Sequence, residues 1–250
     1  MTASTLEAII FDVDGTLAET EEAHRHAFNR AFSEHGLKWR WSKADYKRLL
    51  KTAGGKERLS AFIAEIGFSP PGGQPLDSFV SDLHRRKTQH YAASLESGAL
   101  GLRPGVAELI DECRKAGVRM AIATTTSLAN VTGLLAATLG GEAIGFFDAI
   151  AAGDSVRAKK PAPDVYLQAL DALGLAPGVC LAIEDSSLGL LAARSAGIAT
   201  LITPSAYTCD DDFTGALHVT PSLEAMAKPP ETGILAALSH CFGERGSLSG

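Results

Sequence analysis

The chain reads as an α/β protein, a parallel-sheet core interrupted by a helical insertion. Short apolar runs rich in β-branched residues recur along its 250 residues, helical patterns separate the later ones, and helical periodicity fills the long first gap. The runs are Leu6 to Phe11, Val118 to Ala123, Phe147 to Ala152, Val179 to Ile183 and Ile198 to Ile202. Strands covered on both faces have this near-continuous apolar character. Val165, Tyr166, Ala169, Leu170 and Leu173 mark one helix face, with Pro163 near its first turn and Gly174 just beyond its end. Leu188, Leu191, Ala192 and Ala196 mark another after Ser186, a good N-cap. Strand and helix in alternation imply right-handed crossovers and a Rossmann-like parallel sheet.

The first gap is too long for one crossover. From about Thr20 to Ser97 it carries helical stripes, Ala23, Ala27, Phe28, Ala31 and Phe32 first, then Leu59 to Ile66 and Phe79 to Leu95. The expected division is a core of residues 1–19 and 101–250 and a helical cap of residues 20–100. Ala18 to Glu21 and the Gly- and Pro-rich Gly98 to Gly105 are the expected hinges. Beyond Thr203 the pattern weakens, and Arg245 to Gly250 is expected to fray.

Composition narrows the function classes. At 46% hydrophobic and 21% charged residues the chain can close a core, which excludes global disorder. Its net charge of −6 gives a polyanion no general attraction, so no nucleic-acid partner is expected. Cys113, Cys180, Cys209 and Cys241 form no metal spacing and read as reduced thiols. No apolar run nears the roughly 20 residues that cross a bilayer, and the first residues lack leader character. The expectation is a soluble, cytoplasmic monomer with no membrane partner.

In an open parallel sheet, ligands bind beyond the carboxyl ends of the strands. There the sequence places Asp12-Val13-Asp14-Gly15-Thr16, then Thr124-Thr125-Thr126-Ser127, then Lys159-Lys160-Pro161-Ala162-Pro163-Asp164, then Glu184-Asp185-Ser186-Ser187. Carboxylates, hydroxyls and a lysine crowded at one sheet edge repel unless a cation and an anionic ligand share the site.

This ordered set resembles the haloacid dehalogenase superfamily, specifically its β-phosphoglucomutase-like branch with a helical cap. More narrowly it is similar to the Calvin-cycle-operon phosphatases of xylulose 1,5-bisphosphate, through Gly15 to Glu21, Gly54-Gly55-Lys56-Glu57-Arg58 and Ala123 to Ser127. The resemblance implies a phosphoric monoester hydrolase that uses Mg2+ and takes a small phosphorylated sugar. It implies Asp12 as nucleophile, Asp14 as general acid and base, and Thr124, the Thr125 N–H and Lys160 around the phosphoryl group. Asp12, Asp14 through its carbonyl, Asp185 and Glu184 are the implied metal residues, Glu184 either as ligand or as an acceptor behind the ligands. A sugar-phosphate mutase on the same scaffold is the alternative.

Other candidates carry a plain structural reading beside the functional one. Gly54-Gly55-Lys56 is not a Walker loop, since Glu57 replaces the Ser or Thr that would follow. With Arg58 it is either a cap loop gripping a second phosphate or a solvated turn. Thr126, Ser127 and Asn130 either contact that phosphate or belong to a run that caps the strand end. Glu19 is placed to accept from sugar hydroxyls, and His24 either assists proton transfer or is structural. Lys38 to Trp41 is expected to pack the cap, Arg85-Arg86-Lys87 to be a solvated helix face, and Asp210-Asp211-Asp212 to be surface.

Overall fold

The computed structural model describes residues 5–98, 100–227 and 233–244. Arg245 to Gly250, read above as a fraying end, and Ala99 of the second hinge lie outside them. The chain forms two compact units, one of residues 1–19 and 101–250, the other of residues 20–100.

In the first unit, β1 (Ala8–Phe11), β2 (Arg119–Ala123), β3 (Ala149–Ala151), β4 (Cys180–Glu184), β5 (Ala199–Ile202) and β6 (His218–Val219) make one parallel sheet. Its order is β3-β2-β1-β4-β5-β6. Chain order reverses between β1 and β4, which pair directly with Phe11 opposite Ile183. That reversal opens the ligand crevice of such sheets, so Asp12 and Glu184 stand at its mouth.

Side chains alternate across the sheet. Ala8, Ile10, Ala121, Ala123, Ala149, Ala151, Cys180 and Ala182 face one way, where small residues let helices approach closely. Covering that face are α7 (Asp164–Leu173) and α8 (Ser187–Ser195), through Val165, Ala169, Leu173, Ala192 and Ala193. The alternate residues Ile9, Phe11, Ile122 and Ile183 are fully buried too. Two further helices, α5 (Val106–Ala116) and α9 (Ile234–Glu244), pack on each other, and α6 (Leu128–Leu139) follows β2.

Two elements past Thr203 escaped the sequence pattern. β6 is two exposed residues, too short to show a period. α9 is capped from a distance, the Glu112 carboxylate of α5 accepting from its N–H groups at Ile234 (3.2 Å) and Leu235 (2.7 Å). Asp211 also departs from the surface reading of its triplet, since its Oδ2 accepts from Ser187 N (2.9 Å) and Oγ (2.8 Å) at the start of α8.

The second unit holds α1 (Glu21–Glu34), α2 (Lys43–Leu49), α3 (Gly55–Glu65) and α4 (Leu76–Glu96). Trp41 is its centre, with ring centroids of Phe28 and Phe32 at 4.8 Å and of Phe62 at 5.2 Å. Asn29 clamps the Trp41 backbone on both sides, accepting from its N–H (2.7 Å) and donating to its carbonyl (2.9 Å). Within Lys38 to Trp41 the two tryptophans thus pack the helical unit, Trp39 against Phe62 and Phe68, while Lys38 and Arg40 are exposed.

Lys87 corrects the expected solvated face. Arg85 and Arg86 are exposed, but Val80, Leu83, Lys87 and Tyr91 recur at helical spacing on the buried side of α4. The Lys87 ammonium sits 2.8 Å from His24 Nδ1, 5.0 Å from the Phe28 ring centroid and 5.3 Å from that of Tyr91. No helix among the described residues is long and apolar enough to cross a membrane.

The chain's two tryptophans both lie in the helical unit, so tryptophan emission reports on it alone. Trp41→Ala should cost that unit about 3–5 kcal/mol. Urea unfolding followed through Trp39 emission should show the midpoint falling accordingly. An unchanged midpoint would remove Trp41 from the centre of the unit.

Candidate active site

Four strand ends build the site. Asp12 continues β1, and its N–H donates to Ile183 O of β4 (3.0 Å), which pins the residue against the neighbouring strand. Glu184 ends β4 and Asp185 follows it; Asp12, Glu184 and Asp185 are all buried, and one carboxylate oxygen from each lies within 4.8 Å of the others. Lys160 reaches in from the loop before α7, which Asp164 steadies by accepting from Ala158 N (3.1 Å).

The Lys160 ammonium has three hydrogens and three acceptors. They are Asp12 Oδ1 (2.6 Å), Glu184 Oε1 (2.5 Å) and the Ala123 carbonyl at the end of β2 (2.9 Å). One cation therefore fixes β1, β2 and β4 relative to each other. To bind a phosphoryl oxygen as well, as expected from the sequence, it must release one of these partners.

Tyr166 of α7 completes the arrangement and was legible only as a core residue. Its hydroxyl donates to the same Glu184 Oε1 (2.6 Å), and its ring lies 5.2 Å from the Lys160 nitrogen. A buried phenol needs such an acceptor, since leaving it unpaired costs about 1–3 kcal/mol. Glu184 is fully buried, its Oε1 is taken by Lys160 and Tyr166, and its Oε2 accepts from Asp185 N (3.3 Å). Through these contacts Glu184 holds Lys160 in place while its carboxylate stays within the cluster that could bind a metal. Gly189 of α8 leaves the space its carboxylate occupies; a Cβ there would collide with it.

Asp14 lies in a tight turn closed by Gly15 N to Ala18 O (2.9 Å) and is partly buried. Gly15 has φ +87°, and a Cβ on it would strike the Asp185 carboxylate. Asp185 is held by Thr208, whose Oγ1 lies 2.7 Å from its carbonyl and 3.1 Å from Oδ2.

After β2, Thr124 is buried, and its N–H donates to Ala151 O (3.0 Å) while its Oγ1 accepts from Thr126 N (3.2 Å). Ser127 is the N-cap of α6, accepting from Asn130 N, and the buried Asn130 amide donates to Thr126 Oγ1 (2.9 Å). These three residues thus build the helix start. Thr125 is partly buried between them and Thr124.

In the helical unit, Gly54 (φ +88°) precedes α3, Gly55 opens it, and Lys56 is exposed on its first turn. Arg58 differs from its expected role. Its guanidinium points into the unit, donating to Tyr46 Oη (3.0 Å) and Leu49 O (3.3 Å), because the helical period puts residue 58 on the buried side with Leu59. His24 is buried too, stacked on Tyr91 at 3.9 Å. Glu19 is exposed, 3.3 Å from Arg103 Nε.

Charge decides what the cluster can hold. Three buried carboxylates face one ammonium, an uncompensated excess that a low-dielectric site does not tolerate. Burial pushes the Asp12 carboxyl up to about 7, with Lys160 opposing the shift and Glu184 adding to it. Burial alone would lower Lys160, but Asp12 and Glu184 outweigh it and hold the ammonium above its usual range. A hard divalent cation with oxygen preference fits this donor set, in charge and in chemistry.

A buried carboxylate at the switch point of a parallel sheet, backed by a lysine and a second carboxylate pair, suits the chemistry of a hydrolase. The family model for haloacid dehalogenase-like hydrolases matches residues 6–197, and the chain belongs to that family. It is a phosphatase enzyme. It is 55% identical over 222 residues to protein CbbY of Rhodobacter capsulatus, covering 89% of this chain and 96% of that one. To the plasmid CbbY of Cupriavidus necator it is 51% identical over 90% of this chain and 88% of that one. Among solved structures, CbbY of Rhodobacter sphaeroides, in complex with phosphate and as a mutant in complex with xylulose-(1,5)bisphosphate, matches with a TM-score of 0.83. The identity is 46%, over 88% of this chain and 96% of that one. A β-phosphoglucomutase from Clostridium difficile shares the fold, with a TM-score of 0.75 at 20% identity over 97% of this chain and 99% of that one.

The raised Asp12 carboxyl has a measurable consequence. Without metal the native state keeps this proton up to about 7, whereas the ordinary value is 3.8, so the native state binds more protons across that window. Stability contributed by the group is full below the window and is lost as pH rises through it. In chelator the melting temperature should fall as pH rises from about 4 to about 7, and Asp12→Asn should flatten the fall. Equal slopes in the two proteins would show that Asp12 is not the titrating group.

Proposed function

We propose that the chain is a magnesium-dependent phosphatase of small sugar phosphates, acting through an aspartyl phosphate on Asp12, with xylulose 1,5-bisphosphate as its substrate. The observation that carries the reading is Asp12 at the crevice mouth with Oδ1 tied to Lys160, which turns the rest of the carboxylate toward incoming phosphorus. The xylulose-(1,5)bisphosphate complex of the Rhodobacter sphaeroides relative supports the substrate.

Asp12 attacks phosphorus in line, its carboxylate oxygen forming the P–O bond as the sugar alkoxide departs. Asp14, two residues on, protonates the alkoxide and then takes a proton from the water that discharges the acyl phosphate. Thr124 and the Thr125 N–H orient the phosphoryl oxygens, and Lys160 balances charge on Asp12. Asp12, Asp185 and the Asp14 carbonyl would hold Mg2+, with Glu184 behind them. The ion would supply the positive charge that lets a carboxylate approach a phosphate dianion.

Residues 20–100 act as a cap in this reading, and Glu19 accepts from sugar hydroxyls. A bisphosphate carries a second dianion. Lys56 and the Gly54-Gly55 backbone are the groups proposed for it, since Arg58 is engaged elsewhere. A mutase would instead return the phosphoryl group to a sugar and would need a bisphosphate activator.

Stoichiometric phosphate release from xylulose 1,5-bisphosphate without interconversion of hexose phosphates is the expected outcome, and hexose-phosphate interconversion would favour the mutase. Asp12→Asn should fold and show no turnover, and Asp14→Asn should lose about 10²–10⁴-fold in kcat. Wild-type release from either would overturn its role. Lys56→Ala should lower kcat/KM for the bisphosphate about tenfold, ~1.4 kcal/mol, while sparing a small aryl phosphate. Equal loss on both substrates would remove Lys56 from the second phosphate.

A further inference from the structure

Arg103 lies just before α5 and contacts none of the reacting groups, yet its side chain is among the most connected in the first unit. Nη1 donates to the carbonyl of Gly15 and of Thr203 (2.6 Å), with Thr203 Oγ1 at 3.2 Å. Nη2 donates to Pro204 O (2.8 Å), with Pro221 O at 3.4 Å, and Nε faces Glu19 Oε1 at 3.3 Å. The side chain is only 9% exposed. A planar fork of five donors suits such a convergence of acceptors, which a lysine could only partly satisfy.

The segments it gathers lead to the two sides of the metal cluster. Gly15 follows Asp14, and its Cα lies against the Asp185 carboxylate. Thr203 and Pro204 run into Ser205, whose N–H donates to Thr208 Oγ1 (2.9 Å), and Thr208 in turn holds Asp185 through its carbonyl (2.7 Å) and Oδ2 (3.1 Å). The backbone adds Arg103 N to Leu17 O (2.8 Å) and the bridge between Ala18 and Leu102.

We propose that Arg103 is a positioning residue that sets the spacing between the Asp14–Gly15 turn and the loop steering Asp185, and so fits the carboxylate cluster to Mg2+ rather than to a larger cation. The inference rests on the reading of that cluster as the metal site. Mg2+ demands near-ideal octahedral geometry at short distances, whereas Ca2+ accepts longer and looser coordination. A small drift of Asp185 relative to Asp12 therefore weakens Mg2+ binding and leaves Ca2+ binding nearly unchanged.

The test is calorimetric titration of the full chain with Mg2+ and with Ca2+, independent of turnover. Arg103→Lys should fold and bind Mg2+ about tenfold more weakly, with less than about a threefold change for Ca2+. Thr208→Val, which removes the hydroxyl that links Ser205 N to Asp185, should show the same selective loss, and the double variant should lose little more than either single one. Unchanged Mg2+ binding, or equal loss of both ions, would overturn the proposal. If Arg103→Lys does not fold, Thr208→Val decides alone, and wild-type selectivity in it overturns the proposal. Failure of the unmutated chain to bind Mg2+ at all would instead overturn the metal reading beneath it.

Discussion

The site depends on one ammonium shared among buried carboxylates. Lys160 spends all three of its hydrogens on Asp12, Glu184 and the Ala123 carbonyl. Because these acceptors end three adjacent strands, the contact that neutralises Asp12 also sets the crevice. The charge is deliberately incomplete: one cation against three carboxylates leaves a deficit that neither Tyr166 nor backbone N–H groups can remove. Burial, with Glu184 adding to it, raises the Asp12 carboxyl, and the deficit suits the cluster to a divalent ion.

The fold earns this crowding through small residues and close packing. Alanines on one sheet face let α7 and α8 sit near enough for Tyr166 to reach Glu184. Gly189 leaves room for the Glu184 carboxylate, and Gly15 lets the Asp14 turn lie against Asp185. Behind them, Arg103 and Thr208 tie the turn and the Asp185 loop to each other through carbonyls that have no sequence signature.

Much of the architecture is legible in the chain because its physics is local. Each of the five apolar runs overlaps a strand, and Ser186 caps α8 by accepting from Gly189 N. The ordered Asp12, Thr124, Lys160 and Glu184-Asp185 turns mark the crevice because strand ends in a parallel sheet share one edge. What is not legible depends on partners distant in the chain. α9 is capped by Glu112, more than a hundred residues away, and Arg103 finds its acceptors around residues 15, 203 and 221. Lys87 and Arg58 look solvated by composition, but their helical phase, a period present in the sequence, buries them. The Ser42-x-x-Asp45 capping box of α2 was likewise present in the sequence.

The central claim is that Asp12 carries the phosphoryl group during turnover. The most direct measurement is to quench the enzyme with borohydride during steady-state hydrolysis of xylulose 1,5-bisphosphate and map the modified residue by peptide mass spectrometry. An acyl phosphate is reduced to an alcohol, so the account predicts homoserine at position 12 and nowhere else, only when substrate is present. Full phosphate release with Asp12 unmodified, or reduction at a different carboxylate, would contradict it.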